Sequence, residues 1–142
     1  MIEAIAGALV ASLMILVIRR STSLHWMYSV VLIILPVIYM VFGIFSGETG
    51  VIIKELLYGL PFIFVGALCL LFGFKLSAYL LAAFWLLHGL YDVYHDVFLI
   101  NSGVPFWYPV FCAAVDLVIG AYLLYASAKV TGFNIKRARA DG

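Results

Sequence analysis

The stretch from Trp85 to Asp96, WLLHGLYDVYHD, places His88, Asp92, His95 and Asp96 in a chain otherwise almost free of charge. Imidazole and carboxylate are side chains that ligate transition metals and exchange protons near neutral pH. On a helix these four residues fall at relative angles of about 0°, 40°, −20° and 80°, one face roughly 100° wide. His88 with Asp92, and Asp92 with His95, each bring two ligands to that face. Mixed histidine and carboxylate sets suit zinc, iron or manganese. The two histidines are separated by about 10.5 Å along the axis, which is long for sharing one ion.

The next apolar run adds Asp116. A hairpin centred near Val104 would put Asp116 at the depth of Asp92, and Gly120 near His88. The most accessible metal set is then Asp92, His95 and Asp116, joined by His88. His88 or Asp96 is the candidate general base. Glu3 and Glu55 begin two other apolar runs on the same side and are within possible reach of the cluster.

Acids at bilayer depth are expensive, about 2.5 kcal/mol or more each on insertion scales, and normally pair with cations. No lysine or arginine lies deep in any apolar run. Three solutions remain: protonated acids, pairing with imidazolium, or a bound cation. A metal uses the ligand spacing most fully, and the expected cofactor is a divalent transition metal, zinc first. A metal-free proton relay and a purely structural polar knot are the alternatives. Bis-histidine haem is disfavoured because His88 and His95 share one helix. A retinal-type Schiff base is disfavoured because no lysine is deep.

The elements that must position these groups are membrane helices. The 142 residues are 67% hydrophobic and 11% charged, against about 25% charged for a soluble domain. Mean hydropathy is +1.21. A bilayer core of about 30 Å needs about 20 apolar residues per helix. Five runs qualify: Ile2–Ile18, Trp26–Phe45, Leu56–Phe74, Leu76–Ile100 and Trp107–Ala128, separated by Ser, Gly, Asn and Pro turn signals. The expected fold is an all-α integral membrane bundle of five spans, one domain over residues 1–128 with a basic tail at 129–142. A cleavable signal peptide is not expected, because Met1-Ile2-Glu3 lacks a basic n-region.

Seven of the eight lysines and arginines fall on one side of such a bundle: Arg19, Arg20, Lys75, Lys129, Lys136, Arg137 and Arg139, with Lys54 alone on the other. This predicts an outside N-terminus and a cytoplasmic C-terminus in a cell membrane, of bacterial inner-membrane type. The expected surroundings are membrane lipids. A net charge of +1 without a basic, aromatic-rich run implies no nucleic-acid partner. Cys69 and Cys112 read as small buried hydrophobes. Gly43 and Gly47, and Gly59, Gly66 and Gly73 at seven-residue spacing, fit close helix packing, within the chain or in a homo-oligomer. Tyr91, Tyr94, Trp107 and Tyr108 read as an interfacial belt, with Tyr91 also flanking the polar face.

The run WLLHGLYDVYHD, followed by VPF and then CAAVD, resembles a family of small multi-pass membrane proteins of unknown function. Those carry W-L-L-H-x-x-W-D-x-x-H-H, a proline loop and C-A-x-x-D in the next helix. The likeness covers Trp85 to Asp116. His88, Asp92, His95, Cys112 and Asp116 match. Tyr91 replaces a tryptophan and Asp96 a second histidine, which changes the charge of a potential ligand. The resemblance implies the membrane hairpin and its polar cluster, and no activity.

The leading functional expectation is a metal-dependent enzyme acting near the outer leaflet on a lipid or apolar substrate. Its alternatives are a proton- or cation-coupled transport component and a structural membrane subunit.

Overall fold

The computed structural model describes the backbone of residues 1–20, 25–72 and 74–140, with side chains except at 74–77 and 130–140. It is all-helical, with no strand among the described residues. In order come α1 (Ile2–Ile18), α2 (Met27–Ser46), α3 (Thr49–Phe72), α4 (Phe74–Val93), the single turn α5 (His95–Phe98) and α6 (Tyr108–Ala140). Met27–Ser46, Thr49–Phe72 and Tyr108–Lys129 are each long and apolar enough to cross a membrane; Ile2–Ile18 and Ala78–Val93 are shorter apolar helices.

The helices are apolar on nearly every face, as lipid requires of a buried or spanning segment. Leu9 and Leu13 of α1, Phe64 and Leu71 of α3, and Tyr125 of α6 point outward. Ala11, Leu32, Leu81, Trp85, Ile119 and Leu123 fill the interior with no exposed surface. α6 packs between α4 and α1, and α3 between α2 and α4. Gly7 of α1 meets the Phe111 carbonyl of α6, and Gly103 meets the Phe42 carbonyl of α2. The start of α1, the α2–α3 turn and the α4–α6 connection therefore share one end of the bundle.

Of the glycines left open between internal and intermolecular packing, Gly43, Gly59 and Gly66 pack within the chain. A Cβ on Gly59 would lie 2.5 Å from the Pro36 ring, and one on Gly66 would lie 2.6 Å from Ile33. Gly43 faces Ile52 across the same α2–α3 seam. Gly47 instead ends α2 with φ +73, the left-handed cap that glycine adopts freely. Gly73 lies outside the described residues, as do the side chains of Lys75, Lys136, Arg137 and Arg139.

Three boundaries differ from the sequence reading. α3 begins at Thr49 rather than Leu56, because Glu55 is buried and hydrogen-bonded and so does not mark a loop. α6 runs on as backbone helix through the basic tail to Ala140. The run Leu76–Ile100 is not one helix. It breaks at Tyr94 (φ −106, ψ 11), resumes for one turn, and becomes extended at Leu99. Tertiary bonds hold the break. Asn101 donates through Nδ2 to the Tyr39 carbonyl and to Glu55, and its Oδ1 accepts from the Gly103 amide.

Candidate metal centre

The sequence puts His88 and Asp92 one helical turn apart on α4, and the close approach of α6 supplies Asp116. Gly89 permits that approach: a Cβ there would lie 3.0 Å from the Asp116 Cβ and 3.1 Å from Leu117. Gly120 faces Leu86 rather than His88, so the α4–α6 register is two residues from the expected one. The shift sets Asp116 beside His88: His88 Nδ1 meets Asp116 Oδ2 at 2.6 Å and Asp92 Oδ2 at 3.5 Å. Ligand atoms of His88, Asp92 and Asp116 all lie within 4.8 Å of one another, and this buried group can hold a metal ion.

The three side chains are sealed, at 1%, 1% and 0% residue exposure for His88, Asp92 and Asp116. With both carboxylates ionised, one imidazole cannot balance their charge. Two carboxylates face one imidazole nitrogen. Asp92 Oδ2 and Asp116 Oδ1 have no hydrogen-bond partner. Buried polar atoms are nearly always satisfied, and an orphaned carboxylate oxygen costs about 1–3 kcal/mol or more. A divalent cation bound by both carboxylates and a neutral imidazole would satisfy both oxygens and cancel both charges. Tyr39, buried on α2, donates its hydroxyl to Asp92 Oδ1 at 2.8 Å. That bond leaves Oδ2 as the free oxygen, the kind of outer support that orients a metal ligand. Phe62 closes the other side of His88 edge-on, with ring centroids 4.7 Å apart.

His95 does not join this group. The helix break after Val93 turns it toward α3, where its Nε2 meets Glu55 Oε1 at 3.0 Å. Its Nδ1 lies 3.3 Å from Asp96 Oδ1. Glu55 also accepts from Asn101 at 2.8 Å and from the Tyr91 hydroxyl at 3.0 Å. The expected single polar face is thus two clusters. His88, Asp92 and Asp116 form the inner one; Glu55, His95, Tyr91 and Asn101 form the outer one. Asp96 is the exposed end of the outer cluster, with its side chain 86% accessible. Tyr39 lies between the two, its ring stacked on His95 at 4.4 Å and 20°.

Four participants were not singled out from sequence as site residues. Glu55 was placed within reach without being assigned. Tyr91 reads from sequence as an interfacial residue that flanks the polar face. Asn101 reads as a turn residue, and Tyr39 lies in an uncharged run that offers no local signal. Glu3 is not in the cluster; it binds the Met1 amine at 2.9 Å. Cys112, one turn before Asp116 on α6, is buried as expected and free.

Two recesses flank the clusters. The larger, about 670 Å³, is an aromatic groove between α3 and α4 that includes Tyr58, Phe62, Phe84 and Tyr91. No inner-cluster ligand lines it, and the Phe62 ring stands between it and His88. The smaller, about 370 Å³, lies among α1, α4 and α6 and is lined by both Asp92 and Asp96. Of the three candidate ligands, only Asp92 lines the smaller one. The chain matches no protein-family model, no curated protein and no solved structure.

Proposed function

We propose that this chain is a membrane-embedded, metal-dependent enzyme whose zinc site is His88, Asp92 and Asp116, reached through the cavity beside Asp92. The observation that carries the reading is the pair of orphaned, buried oxygens on two carboxylates that face one imidazole nitrogen. Three protein ligands leave a fourth zinc position open, the arrangement of catalytic rather than structural zinc. Zinc held there would polarise a substrate carbonyl or lower the pKa of a water for hydrolysis. The apolar walls of the cavity favour a lipid or another amphiphile as substrate.

Within this reading, His88 is a ligand and is no longer available as base. Asp96 lines the same cavity and takes that role, with His95 and Glu55 behind it as proton acceptors. Five membrane passes, an outer-side site and a cytoplasmic tail belong to the same proposal. So does a place for this chain among the small membrane proteins whose W-L-L-H and C-A-x-x-D runs it resembles.

The transport alternative has one supporting feature, the chain of contacts from exposed Asp96 through His95 to buried Glu55. Away from it, the described interior is largely apolar. Toward the other end, Leu32, Leu81, Trp85, Ile119 and Leu123 are packed with no exposure, and the Trp85 indole donates to the Tyr28 carbonyl.

The test is elemental analysis of protein purified without chelator or tag-derived metal, before and after zinc dialysis. We expect about one zinc per chain. His88→Ala, Asp92→Asn and Asp116→Asn should lose it, while His95→Ala should retain it. A folded wild-type protein that neither carries nor takes up zinc overturns the metal reading.

A further inference from the structure

The smaller cavity has a charge pattern that selects its occupant. Its lining includes Ala4, Asp92, Asp96, Phe106, Val110 and Ala114, and among the described residues its charged side chains are the two aspartates, with no lysine or arginine. The Met1 amine, one turn before Ala4, is held by Glu3 at 2.9 Å. Among the described side chains, Arg19 and Arg20 follow α1 at the opposite end, Lys129 lies far down α6, and Lys54 projects from α3.

The acids are not equivalent. A divalent ion on Asp92 and Asp116 would neutralise the floor. The mouth stays negative, because His95 is shared between Glu55 and Asp96. One imidazole, even protonated, offsets only one of two carboxylates. Asp96 is the exposed member of that pair. Asp92 also lines the cavity and its buried Oδ2 makes no hydrogen bond, so without the ion the inner end is short of positive charge too.

From these observations we propose that the cavity binds amphiphiles with a cationic amine head. The ammonium pairs with Asp96, and the chain leaves the cavity toward lipid beside Ala4 and Val93, where α1 and α4 do not pack closely. A volume of about 370 Å³ is at the small end of ligand sites, about 300–1,000 Å³, and suits a head group rather than a whole lipid. Anionic heads meet like charge with no donor cation to offset it. The proposal rests on the reading above for its catalytic meaning, but not for its binding test.

The experiment uses the full chain in phosphatidylcholine nanodiscs, zinc-loaded and zinc-stripped. It measures binding of dodecylamine, dodecanol and dodecyl phosphate at neutral pH, corrected for empty discs. Dodecylamine should bind the loaded protein at least about tenfold more tightly than dodecanol, equivalent to about 1.4 kcal/mol; dodecyl phosphate should bind weakest. Asp96→Asn should bring amine and alcohol within about threefold of each other, a difference of under about 0.7 kcal/mol. Val110→Trp, at a half-exposed cavity position, should weaken all three probes while zinc content stays unchanged. Equal binding of amine and alcohol overturns the proposal, and so does an amine preference that survives Asp96→Asn. Zinc retained without amine preference defeats only this inference. Amine preference lost with Asp96→Asn in a protein that takes up no zinc supports it while the metal reading falls.

Discussion

At the residue scale, the informative detail is which carboxylate oxygen is bonded and which is free. Tyr39 binds Asp92 Oδ1 and leaves Oδ2 open. Removing that hydroxyl orphans a second buried oxygen and releases the carboxylate to rotate. Tyr39→Phe should therefore lower zinc affinity by about 10–100-fold, the usual effect of losing an outer-shell partner. The ring, and with it the stacking on His95, is retained. Competition with a calibrated chelator measures the change; unchanged affinity would mean that Tyr39 does not orient the ligand. His95 was readable as a polar residue on the right helix, yet its partner is Glu55, 40 residues earlier. Spacing along α4 could not anticipate this, because the helix ends between Asp92 and His95.

At the element scale, glycine sets how closely helices approach. Gly59 faces the rigid Pro36 ring, whereas Gly50, on the first turn of the same helix, has nothing within 4 Å of its virtual Cβ. Gly59→Ala should destabilise the protein by about 1–3 kcal/mol, as overpacking of a closed contact does. Gly50→Ala should be neutral or slightly stabilising, by up to about 1 kcal/mol, through the unfolded chain. Thermal unfolding in detergent compares the two, and equal midpoints would show that the α2–α3 seam tolerates separation. The seven-residue spacing of Gly59 and Gly66 marked a packing face from sequence. Only the contacts with Pro36 and Ile33 assign that face to α2 rather than to a second chain.

At the scale of the whole molecule, the end that gathers the start of α1, the α2–α3 turn and the α4–α6 connection also holds both polar clusters. The opposite end carries Arg19, Arg20 and Lys129. This distribution predicts the cluster end outside and the basic end in the cytoplasm. Single cysteines at Glu48 and Ser102 should react with a membrane-impermeant maleimide in intact cells, and one at Arg20 only after lysis. The reverse pattern overturns the orientation. Cys69 and Cys112 are buried and should contribute little background.

The sequence by itself determined the helical class, because a chain with 67% hydrophobic residues and 11% charged ones leaves its backbone few alternatives in lipid. It also marked His88, Asp92 and Asp116, because acids and imidazoles in apolar runs need a reason to be there. What it could not supply was partition. Helical periodicity assigns residues to a face only while the helix continues, and past the break at Tyr94 the partners come from other helices: His95 meets Glu55 of α3, and Asn101 bonds α2 and α3. The tertiary structure alone therefore separated His95 from the candidate metal-ligand group, brought Glu55 and Tyr39 to the clusters, and set the α4–α6 register through Gly89. Each is a contact between residues far apart in sequence, and its geometry follows from how the helices pack, not from any local pattern.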